Sequence, residues 1–221
     1  MSRVANEVRE AGEGVRPLID VDALKRAAVN STPFRYLIVP GFVRAEALRL
    51  IGQDFPQIGQ HGSFPLPSLR YGPAFGAFTR ELEGSELRAA VSEKLGIDLS
   101  ASPSMITVRG MSRAVDGKIH TDSKSKLVTA LVYMNDVWES AKGRLRLVRS
   151  PNDLNDVVAE VPPDAGTLLL FKNQENAWHG FEPYSGPRRV VQLNWVTSAA
   201  VVRRERTRHR ISAFFKRLRG A

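Results

Sequence analysis

The chain has 221 residues, of which 43% are hydrophobic and 25% charged, a composition typical of one globular domain with a single core. It contains no cysteine, which excludes disulfides, thiolate metal sites and cysteine nucleophiles, so a transition metal would have to be held by His and carboxylate groups. The formal charge is +9, but residues 203–219 carry +7 of it. The charge therefore belongs mainly to a basic C-terminal tail and does not by itself define the function.

The first 20 residues show no hydrophobic periodicity, so residues 1–20 are expected to form a flexible lead-in. They lack the apolar segment of a signal peptide, and the chain nowhere has the run of about 18 apolar residues that a transmembrane helix needs. We therefore expect a cytoplasmic protein.

Two helices and one strand open the predicted domain. A short helix ending near Ala28 is predicted, with Asp20 or Asp22 as its cap. Residues 34–39 are rich in β-formers and end at a Pro-Gly pair, which indicates a strand. Apolar residues at helical spacing then predict a helix over residues 44–55.

A loop and a further helix follow. Residues 56–78 are crowded with Gly, Pro, Ser and aromatic residues, which predicts a loop that folds over the domain as a lid. Residues 85–95 carry an apolar stripe and predict a helix with Ser85 as its cap.

From residue 105 the pattern changes to short strands separated by Gly, Pro, Asn and Asp. The predicted strands are MITVR, GKIHTD, KLVTALVYM, RLRLV, DVVAEV, TLLLF, AWHGF and RVVQLNWV. Many short strands at this spacing indicate a sandwich or barrel, here a jelly roll, or double-stranded β-helix. The predicted fold is therefore mainly β with flanking helices, in a domain over residues 21–200.

Two histidines and an aspartate are spaced as ligands of one metal ion. Successive side chains of a strand point to opposite faces, so His120 and Asp122 would face the same way. His179 lies in another short strand, among aromatic residues that could shield an ion from water. Two imidazoles and one carboxylate can occupy one face of an Fe(II) ion and leave its other positions for an oxidant and a substrate. The alternative is a surface His-Asp pair and a packed core histidine, but the pattern favours an iron enzyme.

A basic pair follows the distal histidine inside RRVVQLNW, a strand that should be buried. A buried guanidinium needs an anionic partner. If Arg189 shares the inward face with Val191, Leu193 and Trp195, it would meet a ligand carboxylate in a bidentate pair. A register shift of one residue would turn Arg188 inward instead, and this alternative stays open.

Four motifs follow one another in the second half of the chain: GKIHTDSKSKLVTALVYMNDVW, GRLRLVRS, VPPDAGTLLLF and WHGFEPYSGPRRVVQLNW. In this order they resemble the 2-oxoglutarate/Fe(II)-dependent oxygenases of the prolyl-hydroxylase-like superfamily, over residues 105–197. FRYLIVPGFVRAEALRLI is similar to the strand and helix that open such domains.

The resemblance implies a role for individual residues. His120, Asp122 and His179 would be the iron ligands. Arg189 would hold the C5 carboxylate of 2-oxoglutarate, and Tyr133 would hydrogen-bond the same carboxylate.

One pair departs from the family pattern. Lys142-Gly143 stands where the family usually has Gly-Gly. Since neither residue would be a ligand, we expect this difference to affect a hairpin rather than the chemistry.

The resemblance also implies the reaction. Fe(II), 2-oxoglutarate and O2 would be used, with ascorbate as reductant in vitro, and the substrate would be hydroxylated with release of succinate and CO2. Two alternatives stay open: desaturation at the same iron site, and a non-catalytic jelly-roll binding module. Asp122 argues against halogenation, because the related halogenases usually have a small residue at this position.

The substrate itself is not specified by the sequence. Small metabolites, protein side chains and carbohydrate-linked molecules all fit. The residues expected around a substrate pocket are Trp195, Trp178, Arg109 and Arg70. Arg109 and Arg70 would suit an anionic substrate, although solvated surface arginines are common.

Residues 201–221 are predicted to form a basic amphipathic helix. Ile211, Phe214, Phe215 and Leu218 lie at helical spacing beneath a cationic face. This pattern suits docking to an anionic surface, such as the inner face of a membrane, or to an acidic partner. The alternative is packing against its own domain or against the second subunit of a homodimer. Nucleic-acid binding is not expected, because no base-stacking or groove-reading module accompanies the charge.

Overall fold

The computed structural model describes residues 16–205 and residue 207 of the chain. The helices are α1 (Val21–Arg26), α2 (Ala45–Gln53), α3 (Pro73–Leu82) and α4 (Ser85–Leu95). The strands are β1 (Tyr36–Val39), β2 (Phe64–Pro65), β3 (Ser104–Ser112), β4 (Lys126–Tyr133), β5 (Leu145–Val148), β6 (Val157–Val161), β7 (Leu168–Lys172), β8 (His179–Gly180) and β9 (Gly186–Val196). Two 3₁₀ turns lie at Leu66–Ser68 and Ala114–Gly117.

The strands form two sheets. The larger has six strands in the order β1-β7-β4-β9-β3-β2, and the smaller has three in the order β6-β5-β8. The pairings between these strands are antiparallel. The predicted jelly roll with flanking helices is confirmed.

Both faces of the larger sheet are covered, and β7 shows how. Leu168 and Leu170 belong to the core that the helices cover, whereas Leu169 and Phe171 belong to the cluster shared with the smaller sheet. Alternate residues of a strand face opposite sides, so a strand buried on both sides is apolar without interruption. This accounts for the run LLLF.

The helices cover one face of the larger sheet through their apolar stripes. Phe75, Phe78 and Leu82 of α3 are buried there, together with Leu87 and Leu95 of α4. The opposite face and the smaller sheet are therefore left to form the interior of the jelly roll, which is where the candidate site lies.

Most predicted elements are confirmed, with two differences in the helices. Asp20 caps α1 by accepting a hydrogen bond from the backbone N of Ala23 at 2.8 Å, but α4 is capped by Gly84 and not by Ser85. The predicted loop over residues 56–78 is wrong at its end, where α3 begins at Pro73. Pro is favoured at the first helical position, and the Gly-Pro pair that suggested a loop is the start of this helix.

The two ends of the chain are described only in part. Ile19 is buried and pairs with Val43, so the last residues of the predicted lead-in belong to the fold. Residues 199–205 are helical. The apolar stripe predicted between residues 211 and 218 lies outside the described residues, as do residues 1–15. Within the described part of the chain, no helix combines the length and the apolar character that a membrane span requires.

Candidate active site

His120, Asp122 and His179 meet at one end of the interior. One potential ligand atom from each residue lies within 4.8 Å of the others. His179 is buried on β8, Asp122 is half-buried, and His120 is exposed. Two imidazoles and a carboxylate at this separation are a donor set that suits Fe(II) and leaves part of its coordination sphere open.

The backbone of residues 117–120 runs beside β8 and sets the distance between the two histidines. The backbone N of each histidine donates to the carbonyl O of the other at 3.0 Å. The N of Phe181 donates to the carbonyl O of Gly117 at 2.9 Å. A Cβ atom at Gly117 would collide with the carbonyl O of Phe181, so this approach requires glycine. The predicted strand over residues 117–122 is therefore a close bridge instead of a regular strand.

Backbone carbonyls fix the tautomers of both imidazoles. Nδ1 of His120 lies 2.9 Å from the carbonyl O of Lys118, and Nδ1 of His179 lies 3.0 Å from that of Ala177. A carbonyl only accepts, so each Nδ1 carries the hydrogen and each Nε2 keeps a free lone pair. Such contacts orient metal-binding histidines.

His179 is held in its neutral form. Burial, and then the neighbouring His120, lower the pKa of His179 to about 4, although the charge of Asp122 opposes this shift. At neutral pH the imidazole is therefore unprotonated and available to a metal.

Asp122 is held as a carboxylate by two residues of β4. Its Oδ1 accepts from Nζ of Lys126 at 2.6 Å and its Oδ2 from Oγ1 of Thr129 at 2.5 Å. Thr129 is buried and also lies 2.9 Å from Oδ1 of Asn194. Burial raises the pKa of Asp122, but the charge of Lys126, the interaction with His179 when it is protonated, and these hydrogen bonds hold it below its usual value.

The three candidate ligands open into a cavity of about 160 Å³ between the two sheets. Its wall is mainly polar and holds three cationic side chains, Arg109, Lys126 and Arg188. The other lining residues are Ser63, Thr107, Asp116, Thr129, Leu131, Leu145, Phe181, Val190 and Gln192.

Arg188 is a buried cation that no carboxylate of the described residues neutralises. It is 4% exposed, and its Nε donates to the carbonyl O of Gly143 at 2.9 Å. Its guanidinium carbon lies 4.3 Å from the ring centre of Phe181 and 5.5 Å from that of Tyr133. Nη2 has no hydrogen-bond partner. A buried guanidinium with a free edge fits the carboxylate of a bound ligand.

Tyr133 adds a second unpaired donor beside Arg188. Its hydroxyl is buried, interacts with the Arg188 guanidinium and has no other hydrogen-bond partner among the described residues. Burial raises the pKa of Tyr133, against the effect of the Arg188 charge, so the hydroxyl keeps its hydrogen at neutral pH. The two orphaned groups fit a carboxylate such as that of 2-oxoglutarate.

The predicted placing of Arg189 in this cavity is wrong. Arg189 is exposed, and its guanidinium lies 5.4 Å from the ring centre of Phe55 on the helix-covered side. It does share a face with Val191, Leu193 and Trp195, as predicted, but that face packs against the helices. Both faces of β9 are buried, so the apolar residues Val191, Leu193 and Trp195 do not show which face of the strand lines the cavity.

The predicted substrate-pocket residues fall into two groups. Arg109 lines the cavity, as expected. Trp195 is buried in the helix-covered core, Trp178 is half-buried outside the cavity wall, and Arg70 is exposed away from it. For these three residues the predicted placing is wrong.

The expectation for Lys142-Gly143 also needs correction. The carbonyl O of Gly143 accepts the Arg188 hydrogen bond, and Gly143 has a φ of +78°, a conformation that favours glycine. The hairpin therefore supports Arg188, a cation of the cavity wall, even though neither Lys142 nor Gly143 is a candidate ligand.

Sequence reasoning missed Thr129, Lys126, Asp116 and Gln192. A signal existed for Thr129. Residues two apart in a strand share a face, so Thr129 lies on the same face of β4 as Leu131 and Tyr133, and Tyr133 is expected at the site. Nothing comparable marks Asp116, which lies in a 3₁₀ turn.

Comparison with known proteins supports the resemblance seen in the motifs. Residues 109–197 match the model of the 2OG-Fe(II) oxygenase superfamily. This part of the chain is a 2OG-Fe(II) oxygenase domain. The resemblance seen in the motifs is thereby confirmed over residues 109–197, which match a family of non-haem iron dioxygenases that use Fe(II), 2-oxoglutarate and O2.

Solved structures support the fold of the dioxygenase. A prolyl-4-hydroxylase of Pseudomonas putida is 19% identical, with a TM-score of 0.55 over 83% of this chain and 96% of its own. HygX of Streptomyces hygroscopicus, solved with nickel and 2-oxoglutarate bound, is 16% identical, with a TM-score of 0.52 over 74% of this chain and 82% of its own. No curated protein sequence matches the chain.

Proposed function

We propose that this dioxygenase hydroxylates a C–H bond of its substrate while 2-oxoglutarate is converted to succinate and CO2. His120, Asp122 and His179 would hold the iron. The observation that carries the proposal is the convergence of these three side chains, within 4.8 Å, on a cavity that also holds the unpaired Arg188. A structural ion pair or a core histidine would not need both features in one place.

Arg188 and Tyr133 would bind the C5 carboxylate of 2-oxoglutarate. Both offer donors that have no partner, and both are buried, so an incoming carboxylate would meet them with little competition from water. The hydrogen bond to Gly143 holds the Arg188 side chain in place before the ligand arrives.

The remaining residues prepare the ligands. When bound, Fe(II) with 2-oxoglutarate and O2 supplies an oxidant strong enough to remove hydrogen from an unactivated C–H bond. The chain keeps His179 neutral and Asp122 ionised, and Lys126 and Thr129 fix the direction of the carboxylate. Asp122 fills the position that a halogenase would leave to chloride, which favours oxygen transfer.

Release of succinate without added substrate tests the iron site. Purified protein with Fe(II), ascorbate and 2-oxoglutarate should form succinate slowly, and His120→Ala and Asp122→Ala should abolish it. Asp136→Ala removes an exposed carboxylate outside the cavity and should keep wild-type turnover. Equal turnover in wild type and in the two ligand variants would contradict the proposal.

Labelling then separates hydroxylation from desaturation. With ¹⁸O2, hydroxylation places one labelled oxygen in succinate and the other in the product. Desaturation leaves the product unlabelled. An unlabelled product that has lost two hydrogens would overturn the hydroxylase assignment and leave the iron site standing.

A further inference from the structure

We propose that the substrate of this dioxygenase carries a carboxylate and that Arg109 binds it at the mouth of the cavity. This inference rests on the function proposed above and adds the substrate class to it. Three observations carry it: the position of Arg109, its unused hydrogen-bond donors, and the charge balance of the cavity.

Arg109 faces the same cavity as Arg188. Its backbone on β3 is in register with Val190 of β9, and Val190 lies two residues from Arg188, so both arginines project from the same side of the sheet. The side chain of Arg109 is 25% exposed, whereas Arg188 as a whole residue is 4% exposed. Arg109 therefore lies nearer to solvent, where a substrate would enter after 2-oxoglutarate.

The guanidinium of Arg109 is held in place but is not saturated. Its Nη1 donates to Oδ2 of Asp116 at 2.9 Å, and its Nη2 lies 3.4 Å from Oγ of Ser63. A guanidinium has more N–H donors than these two contacts use. Among the described residues, the acceptors recorded for the Arg109 side chain are Asp116 and Ser63.

The partner carboxylate of Arg109 is shared. Oδ1 of Asp116 accepts from Nη2 of Arg113 at 3.1 Å, and its Oδ2 also accepts from the backbone N of Arg113 at 3.0 Å. Burial raises the pKa of Asp116, but the Arg113 backbone hydrogen bond and the charges of both arginines hold it below its usual value. One carboxylate thus orients two arginines and leaves one positive charge unmatched.

The rest of the cavity does not neutralise that charge. Asp122 is matched by Lys126 at 2.6 Å, and Arg188 takes the C5 carboxylate of 2-oxoglutarate in the proposed function. Arg109 and Arg188 line the same cavity, and burial, and then the charge of Arg109, lower the pKa of Arg188, which indicates repulsion between the two guanidinium groups. A second anion beside Arg109 would relieve this repulsion.

The wall next to Arg109 is suited to a polar molecule. Thr107 on β3 is in register with Gln192 on β9, and both line the cavity. Together with Ser63 they offer hydroxyl and amide groups beside the guanidinium. These groups favour a small polar acid over an apolar substrate.

Matched pairs of compounds test the proposal. The probes are free amino acids and N-acetyl amino acids, each compared with its own amide, and the readout is succinate release above the substrate-free rate at saturating 2-oxoglutarate. At least one free acid should stimulate turnover, with its amide weaker by about tenfold or more. The result that overturns the proposal is a panel in which no free acid stimulates better than its amide.

Variants locate the carboxylate. Arg109→Gln should raise the KM for the stimulating acid by about tenfold or more, with a smaller rise in Arg109→Lys. Arg113→Gln is the matched control, because Arg113 binds the same Asp116 but does not line the cavity, and its KM should stay within about twofold of wild type. Thermal unfolding of each variant shows whether it is folded.

The dependence of turnover on the co-substrate separates the two sources of a carboxylate. If Arg109→Gln raises the KM for the co-substrate as much as the KM for the acid, Arg109 binds 2-oxoglutarate and the proposal is overturned. A wild-type protein without any substrate-free succinate release would contradict the proposed function itself. The two failures are therefore distinguishable.

Discussion

Arg188→Met should have opposite effects on stability and on co-substrate binding. Without 2-oxoglutarate, the variant should be as stable as wild type or more stable, because methionine fills similar space without a charge. Arg188 is 4% exposed, and burial lowers its pKa, which means that the cavity disfavours its charged form. The wild-type protein bears this cost for its function.

The magnitude follows from the contacts of Arg188. Methionine loses the hydrogen bond to Gly143 at 2.9 Å, worth about 1.5–3 kcal/mol for a charged donor. It also loses the contact with the Phe181 ring at 4.3 Å, worth about 1–2 kcal/mol. These losses are offset because the variant no longer has to desolvate a buried charge, a cost of several kcal/mol in the wild type. The free energy of unfolding should therefore rise by about 0–2 kcal/mol.

With 2-oxoglutarate bound, Arg188→Met should be less stable than wild type, because the variant loses affinity for the co-substrate. Truncating one partner of a buried charge pair costs about 2–5 kcal/mol of binding free energy, a loss of about thirtyfold to several thousandfold in affinity. At a concentration of about 100 times its Kd, 2-oxoglutarate should stabilise the wild type by about 2.7 kcal/mol. The same concentration should not stabilise Arg188→Met.

Urea unfolding with and without 2-oxoglutarate measures both effects, with Mn(II) in place of Fe(II) to prevent turnover. Arg189→Met is the matched control, since Arg189 is exposed beside Phe55, and both quantities should change by less than about 1 kcal/mol. The role assigned to Arg188 is refuted if Arg188→Met binds 2-oxoglutarate as tightly as wild type. The predicted stability is contradicted by a loss of more than about 3 kcal/mol in the ligand-free protein.

Three further predictions concern the iron ligands and their support. Thr129→Val removes the hydrogen bond at 2.5 Å to the ligand carboxylate, and should lower Fe(II) affinity about 10- to 100-fold in a metal titration. Gly117→Ala brings a Cβ against the carbonyl O of Phe181 and should destabilise the protein by about 1–3 kcal/mol in urea unfolding. The control is Gly52→Ala, whose Cβ meets no atom within 4 Å and which should stabilise the protein by about 0.5–1 kcal/mol. The pKa of His179 is lowered to about 4 from 6.5, so burial of the neutral ring stabilises the metal-free protein fully above pH 6.5 and less as the pH falls. The wild type should therefore lose about 3 kcal/mol more than His179→Gln between pH 7 and pH 4.

Each of these predictions has a contrary result. Unchanged Fe(II) affinity in Thr129→Val would show that Lys126 alone orients the carboxylate. Equal stability of Gly117→Ala and Gly52→Ala would show that the bridge to β8 tolerates a side chain. Parallel pH profiles of wild type and His179→Gln would show that the imidazole is not buried in its neutral form.

The pattern of strands predicts most of the fold, because short apolar segments separated by Gly, Pro, Asn and Asp leave few alternatives to a jelly roll. The candidate ligands could be predicted for a similar reason. His120 and Asp122 are two residues apart in extended chain, and His179 occurs in a segment that has to pair nearby.

The sequence of β9 did not show which of its alternate residues face the cavity. Both of its faces are buried, one by helices and one by the smaller sheet, so hydrophobicity does not distinguish them. The polar residues of β9 indicate which face lines the cavity better than its alternating apolar residues do. Gln192 and Asn194, the polar residues in phase with Arg188, mark the interior face of the strand.

The roles of Gly143 and Asp116 depend on contacts between segments distant in sequence. The carbonyl O of Gly143 reaches Arg188 across 45 residues, and a carbonyl contact of this kind leaves no trace in residue type. Asp116 contacts Arg109 only because a 3₁₀ turn folds back on β3.

Metal and co-substrate binding to the purified protein tests the central claim most directly. Under anaerobic conditions the wild type should bind one Fe(II) per chain, and 2-oxoglutarate should then produce a weak visible charge-transfer band. Asp122→Ala should show neither the stoichiometric iron nor the band. A wild-type protein that binds no Fe(II), or an Asp122→Ala variant with the same band, would contradict the assignment of His120, Asp122 and His179 as the iron site.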